Sequence, residues 1–332
     1  MAAPDVSIVI PTYNRRARLS RVLDALSRQT VAPDRFEVVV VDDGSSDGTT
    51  DWLRAWSAPF PLRALRQENS GPALARNAGV RAAAAPLALF IDDDVVPAPE
   101  LVGEHLRSHA AEKDIAVIGP LLSLSRYAQP WVQWEQTQVE KQYRAMAERR
   151  WRTSFRQFWT GNASVAREHV LAVGGFDPAY LRAEDIELAA RMERLRGVRF
   201  RFNPAAAGVH HAERSLASWM RMHDSYGRLE SAIFRQFGAA IADDYLADNW
   251  GHLHPMIRRV VSACLEAPRR RAAIAAALRA FIAASAFVPG NPGARAACSV
   301  LANLLYWGAA FETIGKDATR SVFALAAQLY IA

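Results

Sequence analysis

The sequence predicts an α/β fold: a Rossmann-like, mostly parallel sheet with helices on both faces, followed by a helical C-terminal extension. Three observations predict it. Continuous apolar runs alternate with amphipathic stretches, the pattern of parallel strands buried on both faces. Polar clusters follow several of those runs, where open α/β sheets hold ligands beyond the strand C-termini. Beyond about Ala239 the chain turns to Ala/Arg-rich stretches with helical character.

The strands are expected at Val6–Pro11, Phe36–Val41, Leu62–Arg66, Leu87–Ile91 and Ala116–Gly119. Amphipathic helices fall between them, near Arg15–Gln29, Thr49–Trp56, Gly71–Ala84 and Pro99–Ala110. The first strand runs into Pro11-Thr12-Tyr13-Asn14 and not into G-x-G-x-x-G, which disfavours a dinucleotide dehydrogenase. A long polar helix follows from Trp131 to Arg150, with Trp131, Trp134, Val139 and Tyr143 at near-helical spacing as a core-facing stripe. Phe155–Ala166 reads as a connecting segment, and Gly174-Gly175-Phe176-Asp177 as a turn. Glu184-Asp185 opens a helix over Ile186–Leu195, followed by a strand at Val198–Phe202, then Val209-His210-His211, then a helix from Ser215 to about Ser231. In the extension, Ala272–Val288 is apolar but holds Arg279, Ala296–Phe311 holds Asn303, and Val322–Ala332 is too short to span a bilayer. We expect a main domain over 5–235, in halves 5–120 and 121–235, and the extension over 240–332.

At 332 residues, with 51% hydrophobic and 22% charged content, the chain has the composition of a folded protein with a full core. A net charge of +6 suits nucleic acid, an anionic membrane or a phosphorylated substrate. The arginines gather in Arg144 to Arg156, Arg191 to Arg201 and Arg258 to Arg271 without an aromatic-basic repeat, so nucleic acid is not expected as a partner. Two cysteines, Cys264 and Cys298, make neither a disulfide framework nor a C-x-x-C metal site, which fits a reducing compartment. The N-terminus has no basic and apolar signal pattern, and a cytoplasmic location is expected.

The chemistry is concentrated at strand ends. Asp92-Asp93-Asp94 follows Leu87–Ile91, and clustered carboxylates on such a rim suit Mg²⁺ or Mn²⁺ bridging a diphosphate. An acidic turn in water is the plainer explanation of three acids alone. Two further clusters in register weigh against it: Pro11-Thr12-Tyr13-Asn14, and Asp42-Asp43-Gly44-Ser45-Ser46-Asp47-Gly48, whose carboxylate suits a base imide N–H. His105 and His109 share a helix face, but without a third ligand nearby they read as surface residues.

Together these motifs resemble the family-2 inverting glycosyltransferases, which have the GT-A fold and use nucleotide-diphosphate sugars. The resemblance rests on Val6–Arg15, Val41–Thr49, Asn69-Ser70-Gly71-Pro72-Ala73 with Ala75-Arg76-Asn77-Ala78-Gly79, the aspartate triplet, and Gly174-Gly175-Phe176-Asp177 followed by Glu184-Asp185. It covers about residues 5 to 230. It implies that Pro11, Thr12, Tyr13, Asn14, Asp43, Gly71, Arg76 and Asn77 line the nucleotide pocket, with Asp43 on the base. Asp92 and Asp93 belong to the same surface, Asp92 on the ribose or the metal's water shell, and Asp94 ligates the metal directly. Trp159, Gly161 and Asn162 correspond to a segment that meets the donor sugar or acceptor. His210 and His211 stand where related enzymes offer an imidazole to the metal or diphosphate.

Inversion requires an acceptor hydroxyl to attack opposite the leaving group while a base takes its proton. Asp185 is the candidate and Glu184 the alternative, although either also suits the N-terminus of a helix. A sugar nucleotidyltransferase would open with a glycine-rich, basic loop, which Pro11-Thr12-Tyr13-Asn14 does not provide. A glycoside hydrolase would not need the nucleoside motifs, and a non-catalytic nucleotide-sugar-binding protein would not need the base. Arg258-Arg259 and Arg269-Arg270-Arg271 beside apolar runs suggest peripheral attachment to an anionic cytoplasmic membrane face. That reading carries with it a glycan or lipid-linked acceptor and a role in cell-surface synthesis.

Overall fold

The computed structural model describes residues 3–123, 129–180, 182–211, 214–236, 239–286 and 291–330. Its first half alternates β1 (Val6–Thr12), α1 (Arg16–Leu26), β2 (Phe36–Asp42), α2 (Thr49–Ala55), β3 (Leu62–Arg66), α3 (Pro72–Ala82) and β4 (Leu87–Ile91). There follow β5 (Val95–Pro97), α4 (Leu101–Ala111), β6 (Ile115–Ile118), β7 (Leu121–Ser123), α5 (Pro130–Ala147), β8 (Asn162–Ala166), α6 (Arg167–Ala172), α7 (Glu184–Arg196), β9 (Arg199–Phe202) and β10 (Gly208–His210). The remainder is helical: α8 (Leu216–Gln236), α9 (Ala239–Gly251), α10 (Pro255–Leu265), α11 (Pro268–Ser285), α12 (Pro292–Ile314) and α13 (Lys316–Tyr330).

Seven strands form one sheet in the order β3-β2-β1-β4-β8-β6-β9, parallel except where β8 runs antiparallel to β4 and β6. Alternation along β1 feeds two cores. Val6, Ile8 and Ile10 pack with Val38, Val40 and the Leu19, Val22 and Leu23 stripe of α1, while Val9 joins Phe90, Phe158, Phe176 and Leu188 on the other face. Helix α3 lies close to the sheet because residue 79 is glycine: a Cβ there would come within 2.4 Å of Val9 Cγ1. The expected strands are present within a residue or two of their sequence bounds. β8 is a correction: its Asn-Ala-Ser-Val-Ala run lacks the β-branched density that marks a strand, so the sequence reads it as a connection.

Where the strand order reverses, a crevice opens between β1 and β4. The β1–β2 ladder runs to Thr12↔Asp42, whereas β1–β4 pairing ends at Val9↔Phe90. Pro11, which has no N–H, sits just past that point, where β4 asks for no hydrogen bond. A second, three-stranded sheet in the order β5-β10-β7 sets His210 opposite Val95, next to the end of the aspartate triplet.

The chain divides into two compact units, Met1–Ser125 with Val139–Ala212, and Arg126–Gln138 with Glu213–Ala332. The second begins earlier than the 240 boundary expected from sequence, because α8 packs along α12. Gly227 of α8 permits this, since a Cβ there would fall 2.1 Å from the Tyr306 carbonyl oxygen. The unit is closed by Trp250 stacked on Phe323 at 3.7 Å, with Trp307 edge-on to both, and by Tyr306 donating to Glu230 at 2.6 Å. The first turns of α5 belong here: the Trp131 indole donates to the Arg214 carbonyl, and Trp134 meets Trp219 edge-on. Helices α9 and α10 were not separately legible in the sequence. The last residues of two expected helices, 287–288 and 331–332, lie outside the described residues. Among the described residues no helix is long and apolar enough to cross a membrane.

Candidate active site

The crevice gathers charged side chains from four segments. Thr12, at the end of β1, donates its hydroxyl to Asp93 at 2.7 Å, which ties the triplet to the neighbouring strand. Arg15 bridges Asp93 at 2.9 Å and Asp94 at 3.2 Å, and Arg18 reaches Asp94 at 3.5 Å. From the small sheet, His210 Nε2 stands 3.6 Å from Asp94, while the His211 backbone N–H donates to the Asp94 carbonyl at 2.9 Å. Burial pushes the Asp93 carboxyl up to about 6, against the pull of Arg15 and the Thr12 hydroxyl.

Asp92 points elsewhere. It is the most exposed of the three, at 36%, and pairs with Arg76 at 2.8 Å. Arg76 lies buried on α3, its ring-facing side 5.8 Å from the Phe176 centroid, and its second amine holds Glu184 at 2.7 Å. One guanidinium thus joins the end of β4 to the start of α7. Its Nε–H has no hydrogen-bond partner among the described residues. The two carboxylates raise its affinity for its proton, so it stays cationic.

Helix α7 begins from Ala183, a non-glycine residue in the left-handed region at φ 57°, so the start of the helix is held in a conformation that costs energy locally. Next to Glu184, Asp185 accepts from the Ile186 N–H at 2.8 Å and the Thr160 N–H at 3.3 Å. Burial first, then the charge of Glu184, push its carboxyl up to about 7 against the pull of Arg76 and those two N–H groups. Across from it Gly161 leaves room that a side chain would fill, since a Cβ would sit 3.3 Å from Asp92 Oδ2. Trp159 is partly exposed and meets Tyr143 edge-on at 6.1 Å.

Beyond β2, Asp42 accepts from the Ser45 N–H at 2.8 Å and the Thr50 hydroxyl, fixing the turn that follows. Asp43 accepts from Gln67 at 2.7 Å and from the Ser70 and Gly71 N–H groups at 2.9 Å each. Three of roughly four acceptor positions on a carboxylate are thereby used, which leaves one. Asn14 takes the left-handed conformation at φ 53°, its amide oxygen accepting from the Ser46 N–H at 2.7 Å. The Tyr13 ring beside it is 47% exposed.

Two expected contacts are corrected. Asn162 is fully buried, its amide spent on the Pro120 and Ala206 carbonyls at 3.2 and 2.7 Å and on His105 at 3.0 Å, so no donor atom can reach it. Asn77 is likewise buried and clips α3 to the backbone N–H and carbonyl of Phe176 at 2.8 and 2.7 Å. Gly175 makes that clip possible, at φ +78° with a Cβ position only 2.4 Å from the Asn77 oxygen. His105 and His109 are not surface residues. Both are buried against the Ser164 hydroxyl at 2.7 and 2.8 Å, and burial lowers each to about 4, so both are neutral. Arg15, Arg18 and Thr160 were not singled out from sequence. The repeated arginines just after Asn14 were the available signal for the first two.

Residues 7–172 match the family model described as glycosyl transferase family 2. The chain belongs to that family. Validoxylamine A glucosyltransferase of Streptomyces hygroscopicus subsp. limoneus is 36% identical over 216 residues, 57% of this chain and 48% of that protein. The uncharacterized glycosyltransferase YfnE of Bacillus subtilis is 28% identical over 253 residues, 61% of this chain and 64% of that one. The chain spans about half the length of the first of these, at 48%. Among solved structures, the mannosyltransferase PcManGT of Pyrobaculum calidifontis, in complex with GDP-Man and Mn2+, superposes with a TM-score of 0.61 at 22% identity, covering 95% of this chain and 88% of that one. S. aureus TarS 1-349 in complex with UDP-GlcNAc gives 0.54 at 16% identity, covering 88% and 90%. These likenesses bear out the fold class of this family-2 chain, a GT-A-type sheet with C-terminal helices. Its crevice lies where that fold class holds ligands, at the reversal of strand order.

Proposed function

We propose that the protein is an inverting glycosyltransferase that moves a sugar from a nucleotide-diphosphate sugar to an acceptor hydroxyl, with Mg²⁺ or Mn²⁺ bound at the aspartate rim. The observation that carries this reading is the Asp92–Arg76–Glu184 chain of ion pairs, which sets a carboxylate rim suited to a diphosphate beside Asp185, a carboxylate poised near neutrality.

Asp94, with His210 Nε2 3.6 Å away, would hold the divalent ion, and Asp92, which is turned to Arg76, would meet the ribose or the ion's water shell. Fewer than three side chains converge as a ready metal group among the described residues. When bound, the ion offsets charge growing on the leaving diphosphate. Arg15 and Arg18 bring further positive charge to the same rim. Tyr13, Asn14 and the last acceptor position of Asp43 are assigned to the base, with Pro11 and Gly71 shaping the walls of the pocket. Thr12 holds Asp93 in place. Arg76 stands behind Asp92 and orients it, and Trp159 and Gly161 border the sugar.

Asp185 takes the proton from the acceptor hydroxyl. Glu184 is the weaker candidate because its carboxylate is held by Arg76. A general base works best with a pKa near the working pH, and Asp185 at about 7 meets that condition. The acceptor is assigned to a glycan or lipid-linked saccharide of the cell surface. Attachment of the α10–α11 basic segment to an anionic membrane face is part of the same reading. The test is direct: purified protein with Mn²⁺ and a panel of nucleotide sugars is assayed for nucleoside-diphosphate release and for product anomeric configuration. Retention of configuration, or no release with any donor while the fold is intact, overturns the proposal.

A further inference from the structure

Away from the crevice, a cavity of about 550 Å³ opens beside β9, the edge strand of the large sheet. It is within the size range of ligand pockets. Arg149, Arg152, Arg199 and Arg201 line it, with Trp151 and Phe202 as aromatic walls and Glu193 as the one acid among the lining residues. Arg199 and Arg201 share Glu112, at 3.0 and 2.7 Å, so two guanidiniums lean on one carboxylate and the wall stays net positive. Burial raises the Glu193 pKa, while Arg152 and Arg156 pull it down.

The backbone is committed to this arrangement. Arg149 takes the left-handed conformation at φ 57°, and the N–H groups of Arg150 and Trp151 both fold back onto the Ala145 carbonyl at 2.8 and 3.0 Å. That turn closes α5 and brings Trp151 and Arg152 to the cavity. A non-glycine residue in this region is strained, and such strain gathers at functional sites. A row of ring contacts leads from the cavity wall within the same unit. Phe202 stacks on Tyr143 at 5.4 Å and 10° between planes, and Tyr143 in turn meets Trp159.

We propose that this cavity is an acceptor subsite that binds an anionic saccharide unit, carrying a phosphate, sulfate or carboxylate group, some distance along the acceptor from the hydroxyl that receives the sugar. The inference rests on the glycosyltransferase reading. The chemistry is specific: planar guanidiniums grip tetrahedral or carboxylate anions through paired N–H groups, and an aromatic face takes the apolar side of a pyranose. The crevice site needs none of these residues.

Calorimetry with simple probes tests it: glucose 6-phosphate, a glucuronate-containing disaccharide and a neutral disaccharide, each titrated into the full chain and into Arg149→Ala/Arg152→Ala and Trp151→Ala. Saturable binding of one or both anionic probes at least tenfold tighter than the neutral one is expected, weakened at least tenfold in the double variant and lessened in Trp151→Ala. Which anionic probe binds distinguishes phosphate from carboxylate. Donor hydrolysis with Mn²⁺, measured alongside, is expected to stay within about twofold of the parent. Equal affinity for charged and neutral probes, or anion binding that survives both variants, overturns the subsite. Loss of hydrolysis in the parent itself counts instead against the glycosyltransferase reading.

Discussion

Replacing Asp185 with Asn isolates the group on which the proposed chemistry turns, because the amide keeps the volume and the hydrogen-bonding reach but cannot take a proton. In the parent, kcat/KM is expected to rise tenfold per pH unit below about 7 and to level off above it, as the Asp185 carboxyl loses its proton. Asp185→Asn should lose that rising limb and transfer at a rate lower by about a hundredfold to ten-thousandfold, the range of general-base loss. Donor affinity should hold. Stability should move in the opposite direction. A carboxyl raised from the ordinary ~3.9 to about 7 contributes stability that is complete below its unfolded value and is lost as pH climbs through about 7. The full loss over that interval is on the order of 4 kcal/mol, and solvent reaching the partly exposed side chain makes it smaller. The Asn variant escapes this loss, so its melting temperature should exceed the parent's at pH 8 and match it near pH 4. Activity profiles from pH 5 to 9 and thermal melts over pH 4 to 8 supply both readouts. A variant with the parental pH limb, or a melting difference that does not change with pH, would refute the assignment.

Asp94→Ala should abolish divalent-dependent turnover without lowering the melting temperature, as judged by activity over a Mn²⁺ titration, and parental activity at ordinary Mn²⁺ would sink the metal assignment. Asn162→Ala should cost on the order of 2–4 kcal/mol in denaturant unfolding, since the Pro120 and Ala206 carbonyls and His105 lose a buried partner. Gly227→Val should destabilise the helical unit by at least about 1–3 kcal/mol, because its side chain meets the Tyr306 carbonyl; unchanged unfolding would mean that α8 and α12 separate freely. Vesicle flotation at low salt should carry the full chain with anionic but not neutral lipid, and should lose it when Arg269, Arg270 and Arg271 are replaced together by Gln.

The sheet was legible because its central strands are mostly apolar, with Ser7 and Glu37 bonded to each other inside, and β1 and β2 are buried along their whole length. Asp92, Asp94, Glu184 and Asp185 were legible because acids at strand ends and helix starts are conspicuous. Asn162 and Asn77 misled for a physical reason: a polar residue within a binding motif reads as a ligand contact, and only three-dimensional packing reveals carbonyls that need its amide. The histidines of α4 failed the same way, since their partner Ser164 lies on β8, a strand the sequence did not disclose. The domain boundary moved because helical character alone does not say which body a helix packs on.

The guanidinium shared between Asp92 and Glu184 makes the two halves of the crevice thermodynamically inseparable. Whatever draws Asp92 away leaves the whole positive charge of Arg76 to the α7 acids, which lowers the proton affinity of Asp185. Linkage is reciprocal. Loss of the Asp185 proton must therefore ease the release of Asp92, so that alkaline conditions tighten the grip on a ligand that engages Asp92 even though Asp185 never touches it. Under the proposed mechanism, a protein wired in this way favours an order of events: the rim fills first, Asp185 gives up its proton more readily in response, and a hydroxyl that arrives early meets a carboxyl still holding its proton.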